Sequence, residues 1–141
     1  MIAHGTGYVE HLEIETARRD VPFRALWWGH ARAENTSLVW IRWGLGRNLC
    51  LLLENGLIVP GELEILPLGG VRIRTARGQW ETGAGQKLCD RDVRRAFPRW
   101  LVWLARGMAP AREIKIAGPI QFKTDASLIA GTGVWEEVRW P

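Results

Sequence analysis

The chain has 141 residues and a formal net charge of +4, with 47% hydrophobic and 24% charged residues. That length suits a single domain spanning residues 1–141, able to bury a core without disulfide or metal staples. No apolar run nears the length of a membrane span, so no membrane span is expected. The first residues show no basic stretch followed by an apolar one, the mark of a secretory signal. Cys50 and Cys89 match no zinc or redox spacing, and Cys50 within an apolar run reads as a buried, inert thiol. A cytoplasmic setting follows. The basic residues are scattered rather than gathered into a stripe. The one local group, Arg91, Arg94, Arg95 and Arg99, is interleaved with Asp90 and Asp92, so no nucleic-acid partner is expected.

Taken in chain order, Gly7 to Glu15 reads as a first strand, with Tyr8, Leu12 and Ile14 on one face. Glu10 falls on that apolar face as its exception. Thr16 to Pro22 is a polar connection. Phe23 to Ala33 and Ser37 to Trp43 are rich in Trp, Val, Ile and Leu, which suits two β-strands. Glu34, Asn35 and Thr36 form the turn between them. Alternation sends Trp27 and Trp28 to opposite faces, so both sides of this hairpin carry large aromatics.

Leu49 to Glu54 is the next strand, and Asn55-Gly56 is a strong hairpin signal. Strands are predicted at Leu57 to Val59, Glu62 to Leu66, Val71 to Thr75 and Gln79 to Thr82, with Gly83 to Gly85 a loop. Asp90 to Arg95 reads as a turn. Val93, Phe97, Trp100, Leu101 and Leu104 recur at helical spacing, interrupted by Pro98, which predicts a short helix from about Pro98, stopped by Gly107. Arg112 to Ala117 and Ile120 to Lys123 flank a turn at Gly118-Pro119. Ser127 to Ala130 and Val134 to Trp140 complete the set. The whole predicts an all-β antiparallel barrel of about nine or ten strands with one short helix. Strand centres place Trp28, Trp40, Ile41, Leu51 and Leu53 in the core. GTGYVEHLEI at Gly5 to Ile14 echoes GTGVWEEVRW at Gly131 to Trp140, as if first and last strands play equivalent roles.

If Glu34 to Thr36 centres the hairpin, Trp28, His30, Val39 and Ile41 share a face. A symmetric Thr16 to Pro22 connection adds Tyr8 and Glu10 to it. A one-residue slip brings in His11 and Trp27 instead. The candidate catalytic residues are therefore Tyr8, Glu10, His11 and His30, and the candidate ligand wall is Trp27, Trp28, Trp40 and Trp43. Aromatic walls bind flat or polyene-like molecules by area burial. A carboxylic acid among them has its charged form disfavoured, so it can stay protonated and pass a proton to a carbon–carbon double bond. The same residues also suit a structural network in which Glu10 and a His bond each other, Arg24 or Arg32. No nucleophile elbow, phosphate loop or metal spacing occurs, so neither cofactor nor metal is expected.

Tyr8, Glu10 and His11, then Trp28, Gly29, His30 and Arg32, then Leu38 to Trp40, form a pattern that resembles the hydroxyneurosporene synthase or carotenoid 1,2-hydratase-like family. Gly133 to Glu136 is similar to that family's final strand. The resemblance covers about the first 45 residues well and the rest in outline. It departs at Glu10, where Asp is usual, and at Leu12, Glu13 and Ile14, which replace a polar residue, Trp and Gly. It implies a lipocalin-like barrel, and this chain resembles the second of the family's two halves. The function implied is binding of an apolar, polyene- or terpenoid-like small molecule, with hydratase (lyase), cyclase or isomerase chemistry by proton transfer. The rival expectation is a non-catalytic half-barrel that forms a homodimer or pairs with a separate first-half partner.

Overall fold

The computed structural model describes residues 24–44, 49–92 and 112–139. The expected strand at Gly7 to Glu15 and the expected helix from Pro98 lie outside them. Ten strands form one antiparallel sheet: β1 (Ala25–Ala33), β2 (Thr36–Gly44), β3 (Leu49–Glu54), β4 (Leu57–Ile58), β5 (Gly61–Ile65), β6 (Val71–Thr75), β7 (Gly78–Thr82), β8 (Gln86–Arg91), β9 (Arg112–Lys123) and β10 (Leu128–Arg139). The order is β4-β3-β2-β1-β10-β9-β7-β6-β5, with β8 paired to β9 beside β7. The sheet is a lipocalin-like barrel. Among the described residues the one helical element is a 3-10 turn at Pro67–Gly69.

The Trp-rich hairpin pairs Ala33 with Thr36 and Gly29 with Trp40. Glu34 takes the positive φ of 49° that its two-residue turn requires, and Thr36 joins the strand instead of the turn. At the next hairpin Asn55 and Gly56 both have positive φ, as a primed turn demands. The Asn55 carboxamide oxygen accepts the Ser37 N–H at 2.8 Å and ties the two turns together.

Two elements are longer than the sequence reading allowed. Arg112 to Lys123 is one strand that runs straight through Gly118-Pro119, and Leu128 to Arg139 is one strand through Gly131 and Gly133. The Pro119 carbonyl accepts the Gly83 N–H at 2.9 Å, so the nitrogen of Pro119 faces the same side, where β9 changes partner from β8 to β7. Its missing N–H therefore breaks no ladder. Gly118 permits the close approach there: a Cβ on it would lie 2.6 Å from the Gly85 Cα. Gln86 to Arg91, where the sequence reading placed no strand, forms β8 and takes in the start of the turn expected at Asp90 to Arg95.

The inner face carries the main core: Ala31, Ala33, Leu38, Trp40, Leu52, Val71, Ile73, Trp80, Ile120, Phe122 and Trp135. Trp80 stacks on Phe122 with ring centroids 4.3 Å apart. Glu54, only 3% exposed, links β3 to the far side of the barrel. Its carboxylate accepts the Trp80 indole N–H at 3.2 Å and the Thr75 hydroxyl at 3.4 Å. The Val59 N–H donates to the Leu52 carbonyl at 3.0 Å, next to Gly61, whose missing Cβ lets β5 approach the Leu52 side chain. A second cluster of Leu26, Ile41 and Val138, with Trp28, Trp43 and Leu51, lies on the other face. Of the expected core, Trp40 and Ile41 are buried, whereas Trp28, Leu51 and Leu53 are half-buried. The fully packed position of β3 is Leu52, because its parity faces the interior.

Candidate functional site

The inner face is not packed evenly along its length. On β1, Ala33, Ala31 and Gly29 are buried, and Trp27 and Ala25 are half-buried. On β2 the same sequence runs Thr36, Leu38 and Trp40 buried, then Arg42 half-buried. On β3 it runs Glu54 and Leu52 buried, then Cys50 exposed. On β10 Gly133 and Trp135 are buried, Glu137 is half-buried and Arg139 exposed. On β9 Phe122 and Ile120 are buried, Ile116 and Ile114 half-buried and Arg112 exposed. Five neighbouring strands thus open together at one end. Cys50, expected to be buried, is exposed because it sits at this mouth, beyond the last packed layer.

Trp40 and Trp135 form the floor of the mouth, one on each side of Gly29. A Cβ on Gly29 would lie 2.3 Å from Trp40 Cζ2 and 2.8 Å from Trp135 Cβ. Glycine here is what lets the Trp40 indole cover the strand and Trp135 pack close beside it, while the Trp135 ring extends over Gly118 and Gly85. Above the floor, the Arg42 guanidinium lies over the Trp27 ring, 5.7 Å from its centroid. This is cation–π range. Arg42 Nη1 donates to the Leu63 carbonyl at 3.4 Å. The rim is charged and paired: Arg139 with Glu137, and Arg112 and Lys87 with Asp90 at 3.0 and 2.7 Å. Hydrogen bonds from Arg112 and Lys87 hold the Asp90 carboxyl well below the usual carboxylate range.

The sequence-derived candidates divide between faces. Trp27 and Trp40 line the interior, and Trp28, Trp43 and His30 stand on the second face. Trp28, His30, Val39 and Ile41 do share that face. Trp28 meets Lys115 at 5.9 Å, and Lys115 pairs at 3.0 Å with Glu136, which is 8% exposed. Burial lowers the His30 pKa, and the charge of Arg32 adds to the shift. Tyr8, Glu10 and His11 lie outside the described residues. Sequence reasoning did not single out Arg42 or Trp135. Arg42 carried a signal: it is the one charged residue at the inward parity of a strand that is otherwise Thr, Leu, Trp and Gly there.

Elsewhere, Glu62, Leu63, Glu64, Arg72 and Arg74 line a surface depression of about 350 Å³. Its charges satisfy one another, with Arg72 held by Glu81 at 2.8 Å and Glu64 at 3.0 Å. Among the described residues no three His, Cys, Asp or Glu side chains are placed to hold a metal ion. Among them, too, no helix is long and apolar enough to cross a membrane.

No protein-family description and no curated protein sequence matches the chain. Among solved structures, it is similar to kievitone hydratase from Nectria haematococca, with a TM-score of 0.54 at 10% sequence identity. The match covers 82% of this chain and 39% of that one, so the chain spans about two-fifths of the hydratase's length. At that identity the likeness is one of fold: a barrel that in another protein belongs to a hydratase.

Proposed function

We propose that the chain binds an apolar small molecule of polyene or terpenoid type at the Trp-lined mouth of its barrel. Proton-transfer chemistry of the hydratase, cyclase or isomerase kind then acts on it. The observation that carries this reading is the joint opening of the inner face on five strands above a floor of two buried indoles. An aromatic cleft closed at one end buries an apolar chain and leaves its entrance at the charged rim. The resemblance to the hydroxyneurosporene synthase family and the fold likeness to a hydratase support the reaction type.

The acid assigned in this reading is Glu10, with Tyr8 and His11 beside it in sequence. An acid enclosed by indole walls keeps its proton near neutrality. It gives that proton to one carbon of a double bond, water adds to the cation left on the other, and the added water returns a proton to the carboxylate. His30, on the second face, belongs to the same proposal only through the reverse side of β1. Titration with retinol, read by intrinsic Trp fluorescence, tests binding. Saturable quenching is expected, and no change in folded protein across retinol, farnesol and β-carotene would remove the reading.

A second reading rests on a different observation. Leu49 and Ile58, at the β3–β4 edge, are 63% and 74% exposed beside half-buried Trp43 and Leu51. This suits a non-catalytic half-barrel that pairs with a copy of itself or with a separate partner. Light scattering at micromolar concentration separates the two, since a 16.0 kDa species alone contradicts self-association.

A further inference from the structure

The floor of the mouth holds hydrogen-bond donors that no described residue satisfies. Trp40 Nε1, Trp135 Nε1 and Arg42 Nε are buried without a partner among the described residues. Trp40 and Trp135 are themselves 1% and 4% exposed. Buried N–H groups are nearly always paired, so orphans on one face of neighbouring strands call for an explanation. An indole N–H and a guanidinium can only donate. Each therefore needs an acceptor.

Their residues occupy adjoining inward positions. Trp40 Cε2, the atom bonded to Nε1, would lie 2.6 Å from a Cβ on Gly29, so the N–H edge of that ring sits over the glycine. Trp135, the β10 partner of that glycine, carries its ring onward over Gly118 and Gly85, where added Cβ atoms would lie 3.1 and 3.0 Å from its Cη2. Arg42 is the next inward residue on β2 after Trp40. The nearby carboxylates are already engaged, Glu137 by Arg139 and Asp90 by Arg112 and Lys87. Arg42 forms no ion pair among the described residues.

We propose that this floor is an acceptor site, which takes the carboxylate oxygen of a carboxyl-headed apolar ligand with its chain directed toward the rim. The inference rests on the ligand-binding reading above and adds the ligand's head group to it. A carboxylate supplies enough lone pairs for all three donors and neutralises Arg42.

Farnesene, farnesol and farnesoic acid share one carbon skeleton and differ in the head. Trp fluorescence titration should rank farnesoic acid tightest and farnesene weakest. Trp40→Phe and Trp135→Phe keep a ring and remove the N–H. Each should weaken farnesoic acid about five- to tenfold while farnesene changes less than about twofold. Arg42→Gln should weaken farnesoic acid by about tenfold or more and farnesol by less. Nitrogen-15 spectra of the unaltered protein give an independent readout should a variant misfold. The Trp40 and Trp135 indole signals should move downfield with farnesoic acid and stay in place with farnesene. Equal losses for all three ligands, or unmoved indole signals on saturation, would overturn the acceptor site and leave apolar binding intact. Failure of all three to bind would remove the ligand reading and this inference with it.

Discussion

Gly29→Ala is the most exposed consequence of the packing around the mouth. The added methyl would sit 2.3 and 2.6 Å from two atoms of the Trp40 ring and 2.8 Å from Trp135 Cβ. Neither indole can move aside cheaply, since they are 1% and 4% exposed. Overpacking a tight core typically costs about 1–3 kcal/mol, and contact with the Trp40 ring on one side and the Trp135 Cβ on the other puts this case near about 3 kcal/mol. With a urea slope of about 1–3 kcal/mol per molar, the unfolding midpoint should fall by about 1–3 M. Trp fluorescence and far-ultraviolet circular dichroism should report the same midpoint. In a Trp40→Leu background the penalty should fall but not vanish, because the coupling is between contacting side chains and the Trp135 Cβ contact remains. A loss under about 0.5 kcal/mol for Gly29→Ala alone, the range of a neutral surface change, would refute this account of the floor.

Other perturbations test other parts. Glu54→Ala leaves the Trp80 indole N–H buried and unpaired, and should cost about 2–3 kcal/mol in the same melts; Glu54→Gln, which keeps one acceptor, should cost less. Lys115→Ala removes the partner of a Glu136 that is 8% exposed and should cost about 1–3 kcal/mol, with Lys115→Arg recovering most of it. Because burial depresses the His30 pKa below 6.5, the unfolded chain takes up the proton first as pH falls. The stability His30 contributes is therefore complete above about pH 6.5 and lost as pH falls through the lower folded value. Urea midpoints at pH 7 and pH 5 should differ more for the unaltered protein than for His30→Gln, and parallel slopes would refute the assignment.

The hairpins were legible because their signals are local. Asn55-Gly56 and the apolar alternation of β1 and β2 depend on neighbours in sequence, and the register follows once the turn is fixed. The long strands β9 and β10 were not, because Gly and Pro read as breaks unless the partner strands are known. Gly118-Pro119 continues as strand only because β9 changes partner there, a non-local fact. Packing directions were half legible. Trp27 and Trp28 had to face opposite ways, but which one met the interior depended on Gly29 lying under the Trp40 indole and beside Trp135 of β10, about a hundred residues later in the chain. Arg42 was visible as a charge at an inward position. Its role depended on β5 bringing the Leu63 carbonyl within reach while leaving Nε unpaired.

The central claim is that the ligand enters the mouth of the barrel rather than its second face. A farnesyl chain carrying a benzophenone, crosslinked by light and mapped by peptide mass spectrometry, tests it directly. The account predicts adducts on peptides containing Trp27, Trp40, Arg42 and Ile114, competed away by excess farnesol. Because Trp27 and Trp28 share a peptide, fragment ions must place the label on Trp27. Labelling confined to Trp28, Trp43 or Leu51, or labelling that farnesol does not displace, would contradict it.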